Sequence, residues 1–135
     1  MSGSDAGAQT QGDPEPVVRR AFAGLTGRQA WRKVLFTSAG RAGSIEVAFN
    51  DQSFRMLVRH AERQGLIPRL RELGFGIPVW WSMVHDRKRT LFSKGSLEVV
   101  VPVGEQPAVE ALVHLIGREV FGWARTQPWS ARLQR

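Results

Sequence analysis

Apolar residues recur at two different spacings along this chain, and the spacing divides it into elements. Val17, Val18, Ala21 and Phe22 lie on one side of a helix that opens near Pro16, a residue suited to a first helical turn, and runs to Gly24. Thr26 and Gln29 then have the spacing of a capping box for a second short turn carrying Ala30 and Trp31. The period changes to two over VLFTS (34–38) and SIEVAFN (44–50), which read as strands. Ile45, Val47 and Phe49 share one face of the second strand, and Glu46 and Ala48 take the other. The glycine-containing segment 39–43 between them has hairpin length. Asn50 or Asp51 is expected to cap a helix whose apolar stripe is Phe54, Leu57, Val58 and Ala61. Gly65 interrupts it, Pro68 starts a further turn with Leu70 and Leu73, and Gly74 is a good stop.

The second half repeats strand-then-helix logic. GIPVWWSMV (76–84) and LEVVVPV (97–103) read as strands, with a shorter piece, TLF (90–92), between them. Leu97, Val99, Val101 and Val103 alternate cleanly, and Pro102, which lacks a ladder donor, suggests an edge strand. Pro107 opens a helix over 107–125. Its arc of Val109, Leu112, Val113, Ile116, Val120, Trp123 and Ala124 opposes Glu110, His114, Arg118 and Arg125, and Pro128 ends it. The expected fold is α+β in the order α-ββ-α-ββ(β)-α. It has a mainly antiparallel sheet of four to five strands, with two long helices packed on one face. Residues 1–15, two-thirds Gly, Ser, Gln, Asp and Pro, are expected as a disordered tail; 16–126 form a single domain; 127–135 are a basic C-terminal stub.

Composition narrows this picture. With 42% hydrophobic and 23% charged residues, the 135-residue chain can bury one real core. No apolar run approaches the ~20 residues of a membrane span, so no membrane partner is expected. The first sixteen residues have neither the basic start nor the apolar stretch of a secretory signal. Without a cysteine there is neither a disulfide nor a thiolate metal site, and the cytoplasm is the expected compartment. Charge is the unusual property. Residues 17–135 hold all 19 basic and nine of the 12 acidic side chains, a net +10 against +7 for the whole chain. A domain so basic attracts polyanions.

Candidate chemistry is limited to binding. Arg55, Arg59 and Arg63 recur every four residues and would line one side of the helix expected after Asn50 or Asp51, away from its apolar stripe. Arg87, Lys88 and Arg89 follow His85-Asp86 at a basic tip between two strands, where guanidinium forks suit phosphate oxygens. Adjacent Trp80 and Trp81 in a strand must point to opposite faces. Trp81 travels with Ile77, Val79 and Met83 toward the core, and Trp80 faces outward with Val100 unless the N-terminal helix covers that side. Gly40 to Gly43 spells GxxG, but between strands rather than helices it reads as a hairpin turn. Glu110 and His114 share a helix face without a third ligand, the three histidines are scattered, and no catalytic fingerprint is present. No enzyme, cofactor or metal is expected. The leading expectation is a small binding protein whose partner is nucleic acid or a nucleoprotein complex, contacted through the arginines. The rival is a protein–protein module, such as an adaptor, inhibitor, chaperone or immunity-type protein, or a homodimer, using Trp80, Val100 and Trp129.

Overall fold

Seven antiparallel strands form one sheet in the computed structural model, which describes residues 8–27, 31–39, 43–123 and 128–135. The strands are β1 (Ala8–Gly12), β2 (Lys33–Ser38), β3 (Ser44–Phe49), β4 (Ser53–His60), β5 (Ser82–Arg87), β6 (Gly95–Pro102) and β7 (Trp129–Gln134). The helices are α1 (Pro14–Thr26), α2 (Leu66–Glu72) and α3 (Gln106–Leu115), the last continued by a π-helical turn over Ile116–Val120. Across the sheet the order is β1-β7-β2-β3-β4-β6-β5. The class is α+β, but the expected sheet of four to five strands under two long helices is corrected to seven strands and three helices.

Alternation sets which face is buried. Val34, Val47, Met56 and Val99 line up across β2, β3, β4 and β6, and Phe36, Ile45, Val58 and Leu97 form the next buried row. Helix α1 lies against β7, β2 and β3 and against α3, while α2 covers β6 and β5, all on this apolar side. Phe22 of α1 meets Phe36 at 6.3 Å and Phe54 at 5.7 Å between ring centroids. Among the described residues the other face has no helix on it.

The differences from the expected elements have local causes. Residues 54–61 satisfy both periods, because Phe54, Met56, Val58 and His60 alternate as well as the helical set does. The expected cap Asn50 serves a hairpin instead. Its Oδ1 accepts from the amides of Gln52 (3.0 Å) and Ser53 (2.8 Å), and Asp51 takes φ 73°, folding β4 back onto β3. Residues 76–81 are not strand: Trp81 N–H bonds to the Pro78 carbonyl, and β5 starts only at Ser82. TLF (90–92) is a turn. Strand β6 is internal rather than an edge, with Pro102 at its last position, where the missing donor is tolerated. Residues 8–12 and 129–134, read as tail and stub, pair with each other, and β7 pairs on with β2. Among the expectations, Gln29 of the capping box, Gly40–Ala42 of the GxxG loop, and Ala124 and Arg125 of the long helix lie outside the described residues.

Two imidazoles meet this core, His60 buried within it and His114 half-buried at its edge beside Trp129. His60, 2% exposed, accepts the Glu62 amide on Nδ1 (3.0 Å), which leaves its proton on Nε2, and that nitrogen has no partner among the described residues. Burial lowers its pKa below 6.5, against the opposing pull of Asp86 and Glu62. His114 is lowered too, first by burial and then by Arg118, against Glu15 and Glu110. The native state thus holds both rings neutral where the unfolded chain already binds protons. Stability is therefore full above about pH 6.5 and declines below it, until the native rings themselves protonate. Denaturant midpoints measured from about pH 7 to pH 5 should fall in the wild type and fall less in the His60→Gln, His114→Gln double variant; parallel curves would refute this.

Candidate functional site

The uncovered face of the sheet is polar and carries an excess of positive charge. One row across it reads Arg132, Leu35, Glu46, Leu57, Glu98 and His85; the next reads Gln134, Lys33, Ala48, Arg55, Val100 and Ser82. A third holds Ser44, Arg59, Ser96 and Arg87. Five cations thus meet two carboxylates, and the carboxylates are engaged: Glu98 holds Arg55 at 3.3 Å, and Glu46 lies 3.9 Å from Lys33. Arg59 and Arg87 flank Ser96 from opposite sides, about 10 Å apart across two strand spacings.

That row sits at the end of the sheet where the β5–β6 loop and the β4–α2 loop meet. Arg63 is on the latter; Lys88, Arg89 and Lys94 are on the former. All six of these cations are exposed, and none takes part in an ion pair among the described residues. The two nearby acids are occupied. Asp86 accepts from the amides of Leu66 (2.9 Å) and Ile67 (3.2 Å) at the start of α2, and Glu62 is 4.0 Å from Arg69. Close approach of Asp86 needs Gly65, since a Cβ there would come within 2.7 Å of the carboxylate and φ is +92°. The Arg89 amide donates to the Glu62 carbonyl at 2.8 Å, so loop and hairpin are tied together. Gly95 lets the hairpin close, as a Cβ there would lie 2.6 Å from the Arg87 carbonyl oxygen. A hollow of about 240 Å³ opens beside this end, with Arg59 and Lys94 among its walls and the Phe121 ring at its side.

Five of the six arginines and lysines singled out from the sequence, Arg59, Arg63, Arg87, Lys88 and Arg89, therefore converge, although the helix on which Arg59 and Arg63 were placed is a strand and a loop. Arg55 stands apart on β4, paired with Glu98. Lys94 was missed; its signal was its place on the return side of a hairpin, which appears only once β5 and β6 are paired. At the apex of the same hairpin Leu91 is 88% and Phe92 94% exposed. Leaving either side chain in water forgoes about 1.5–3 kcal/mol of burial, so the fold itself gains nothing from them.

The three residues assigned to a protein partner are not brought together. Trp80 lies in the turn before β5, 65% exposed, its indole N–H donating to Glu105 Oε2 at 2.7 Å while Trp81 donates to Oε1 at 3.0 Å. Val100 is on the uncovered face between Arg55 and Ser82, half-buried. Trp129 is in the core, 1% exposed, edge-on to Trp123 at 5.0 Å. Around Trp80, Val79, Met83, Val84 and Val103 are also exposed. His85 and Asp86 point to opposite faces. His85 Nε2 is 2.8 Å from Ser96 Oγ and its Nδ1 is 3.8 Å from Glu98, so the two do not form an acid–base pair. Among the described residues no three His, Asp or Glu side chains gather as a metal site, and no helix is long and apolar enough to cross a membrane.

Comparison with family models, with curated proteins and with solved structures finds no match to this chain.

Proposed function

We propose that this protein is a non-enzymatic binding protein that associates with nucleic acid, or with a nucleoprotein complex, through the basic end of its sheet, most simply in the cytoplasm. The observation that carries this reading is the convergence of Arg59, Arg63, Arg87, Lys88, Arg89 and Lys94 on one hydrogen-bonded hairpin-and-loop unit, exposed and without carboxylate partners among the described residues. Six cations held without internal compensation make a local positive potential that a phosphate backbone relieves, releasing counterions as it binds. Because loop and hairpin are braced by Asp86 and by the Arg89–Glu62 hydrogen bond, little ordering accompanies binding. Contacts of this kind position a backbone and carry little sequence information, so weak sequence preference follows.

The test is a titration of the purified protein with a labelled oligonucleotide at about 50 and about 200 mM salt, after a high-salt wash brings its 260/280 nm absorbance ratio to that of protein alone. If six phosphates are engaged, affinity is expected to drop by about 1,000-fold between the two conditions. Absence of binding at the lower salt, or binding that ignores salt, would exclude the reading.

A second reading, a protein–protein module, is favoured by the exposed apolar group on the outer edge of β5, where Val79 (95%), Trp80, Met83 and Val84 meet water. The Glu105 hydrogen bond holds Trp80 as a ready anchor, the kind of residue that dominates interface energetics. If the protein self-associates through this edge, Trp80→Ala should weaken the assembly by about 2 kcal/mol or more, seen as a shift to the monomer mass in sedimentation. A wild type that sediments as a monomer at every concentration would leave self-association without support.

A further inference from the structure

The β5–β6 hairpin ends in a turn built against the usual chemistry of turns. The Thr90 amide donates to the Ser93 carbonyl at 2.9 Å, and the two hydroxyls are bonded at 2.8 Å. Thr90 Oγ1 also accepts from the amides of Phe92 (3.3 Å) and Ser93 (3.1 Å). The polar side chains are thus spent inward on the turn, and its two central residues, Leu91 and Phe92, stand out at 88% and 94% exposure. Central positions of tight turns ordinarily hold Gly, Asn, Asp, Pro or Ser. A large apolar pair there contributes nothing to closing the turn, and it sits where the fold can never bury it. Directly behind it, on both limbs of the hairpin, are Arg87, Lys88, Arg89 and Lys94, exposed and without ion-pair partners among the described residues.

We infer that this apex takes an unpaired base of a single-stranded nucleic acid, with Phe92 stacking on the base and Leu91 packing beside it, while the flanking cations hold the adjoining phosphates. The inference rests on the nucleic-acid reading above and gives it a substrate class. A phenyl ring exposed on both faces, with positive charge at its back, offers what a strand with unstacked bases can use: a stacking surface and neutralisation of the backbone on either side. A regular duplex cannot use the ring without first unstacking a base pair step. The strand rows of the uncovered sheet face carry arginines but, among the described residues, no aromatic side chain other than His85, whose ring nitrogens lie against Ser96 (2.8 Å) and Glu98 (3.8 Å), so those rows track phosphates rather than stack on bases. One base is therefore gripped per protein molecule. Because every base has a π face, the grip tolerates any sequence.

Fluorescence anisotropy with a single strand of about 12 nucleotides and with the duplex of the same sequence tests this, using the full chain, Phe92→Ala and Phe92→Trp. The wild type should favour the single strand by about 10-fold, which is ~1.4 kcal/mol. Phe92→Ala should lose that factor for the single strand and leave duplex affinity unchanged. Phe92→Trp should restore the factor, with quenching of the new indole as the base stacks. Because the side chain of Phe92 is 94% exposed and only its backbone amide is bonded to the turn, both variants should match the wild type in thermal unfolding. Equal affinity for the two forms, or a single-strand affinity indifferent to Phe92→Ala, would overturn the inference and leave the nucleic-acid reading standing. Failure to bind either form at low salt would remove both. In that event binding to vesicles containing about one-third anionic phosphatidylglycerol, lost in Phe92→Ala, would reassign the apex to a lipid surface.

Discussion

Replacing Arg59, Arg87 and Arg89 together by glutamate is expected to weaken oligonucleotide binding by at least ~100-fold. Each side chain, at contact with a phosphate, contributes about 1 kcal/mol even at the dielectric of water, and three such contacts amount to two powers of ten before any repulsion from the new carboxylates is counted. The slope of log affinity against log salt should also become shallower by about 2 for a single strand, because three fewer counterions are released. The change should be confined to binding. All three side chains are exposed and make no ion pair among the described residues, so the fold loses no attraction when they are removed. Unaltered affinity in a variant that unfolds normally would move any nucleic-acid contact away from this end of the sheet.

Trp129→Ala should cost about 3–5 kcal/mol of folding stability, the range for truncating a fully buried large aromatic. Trp129 is 1% exposed, lies edge-on to Trp123 at 5.0 Å and approaches His114 at 5.7 Å. Its strand is held between β1, through Gly12, and β2, through Ser38, so a cavity there loosens the joint between the two ends of the described chain. Trp129→Phe is expected to cost far less. The indole Nε1 of Trp129 is buried with no acceptor among the described residues, as is that of Trp123, and an orphaned buried donor costs about 1–3 kcal/mol. The phenyl ring keeps most of the packing and removes that donor. Urea unfolding of the two variants separates the terms. Equal midpoints for Trp129→Ala and the wild type would mean that the side chain is not buried in solution. Oligonucleotide affinity should be unaffected in Trp129→Phe, since the residue lies in the core and not among the exposed cations.

Both results bear on what could be read from the residues in order. The hairpin of β2 and β3 was legible because Val34, Phe36, Ile45 and Val47 alternate over segments too short to be helices. Helix α1, and α3 as far as Leu115, were legible from their apolar arcs, and Trp81 was correctly placed in the core. Val79 and Met83, expected on the core face with it, are exposed, Val79 because residues 76–81 are not a strand. Segment 54–61 was not legible. Its apolar residues satisfy a helix and a strand equally, and Asn50 can cap either a helix or a turn with the same carboxamide oxygen. Strand β4 is decided by its neighbours, since pairing with β3 on one side and β6 on the other meets every backbone group that a helix would have met internally. Residues 8–12 have almost nothing to bury. They are a strand because β7 offers a free edge.

The arginines and lysines were visible as a class, but not as a surface. Arg59 and Arg63 were grouped with Arg55 by a helical period that does not exist, and Lys94 was passed over, yet the β4–α2 loop and the β5–β6 hairpin bring Arg59, Arg63 and Lys94 beside Arg87, Lys88 and Arg89. Composition and alternation, which are properties of neighbouring residues, determined by themselves that this is a basic α+β domain with one core and a sheet that needs covering on one side. Which strands lie side by side, which cations share an end, and that Leu91 and Phe92 stand at an apex were decided by tertiary structure. Those outcomes depend on pairing between segments far apart in the chain, and local spacing carries no information about distant partners.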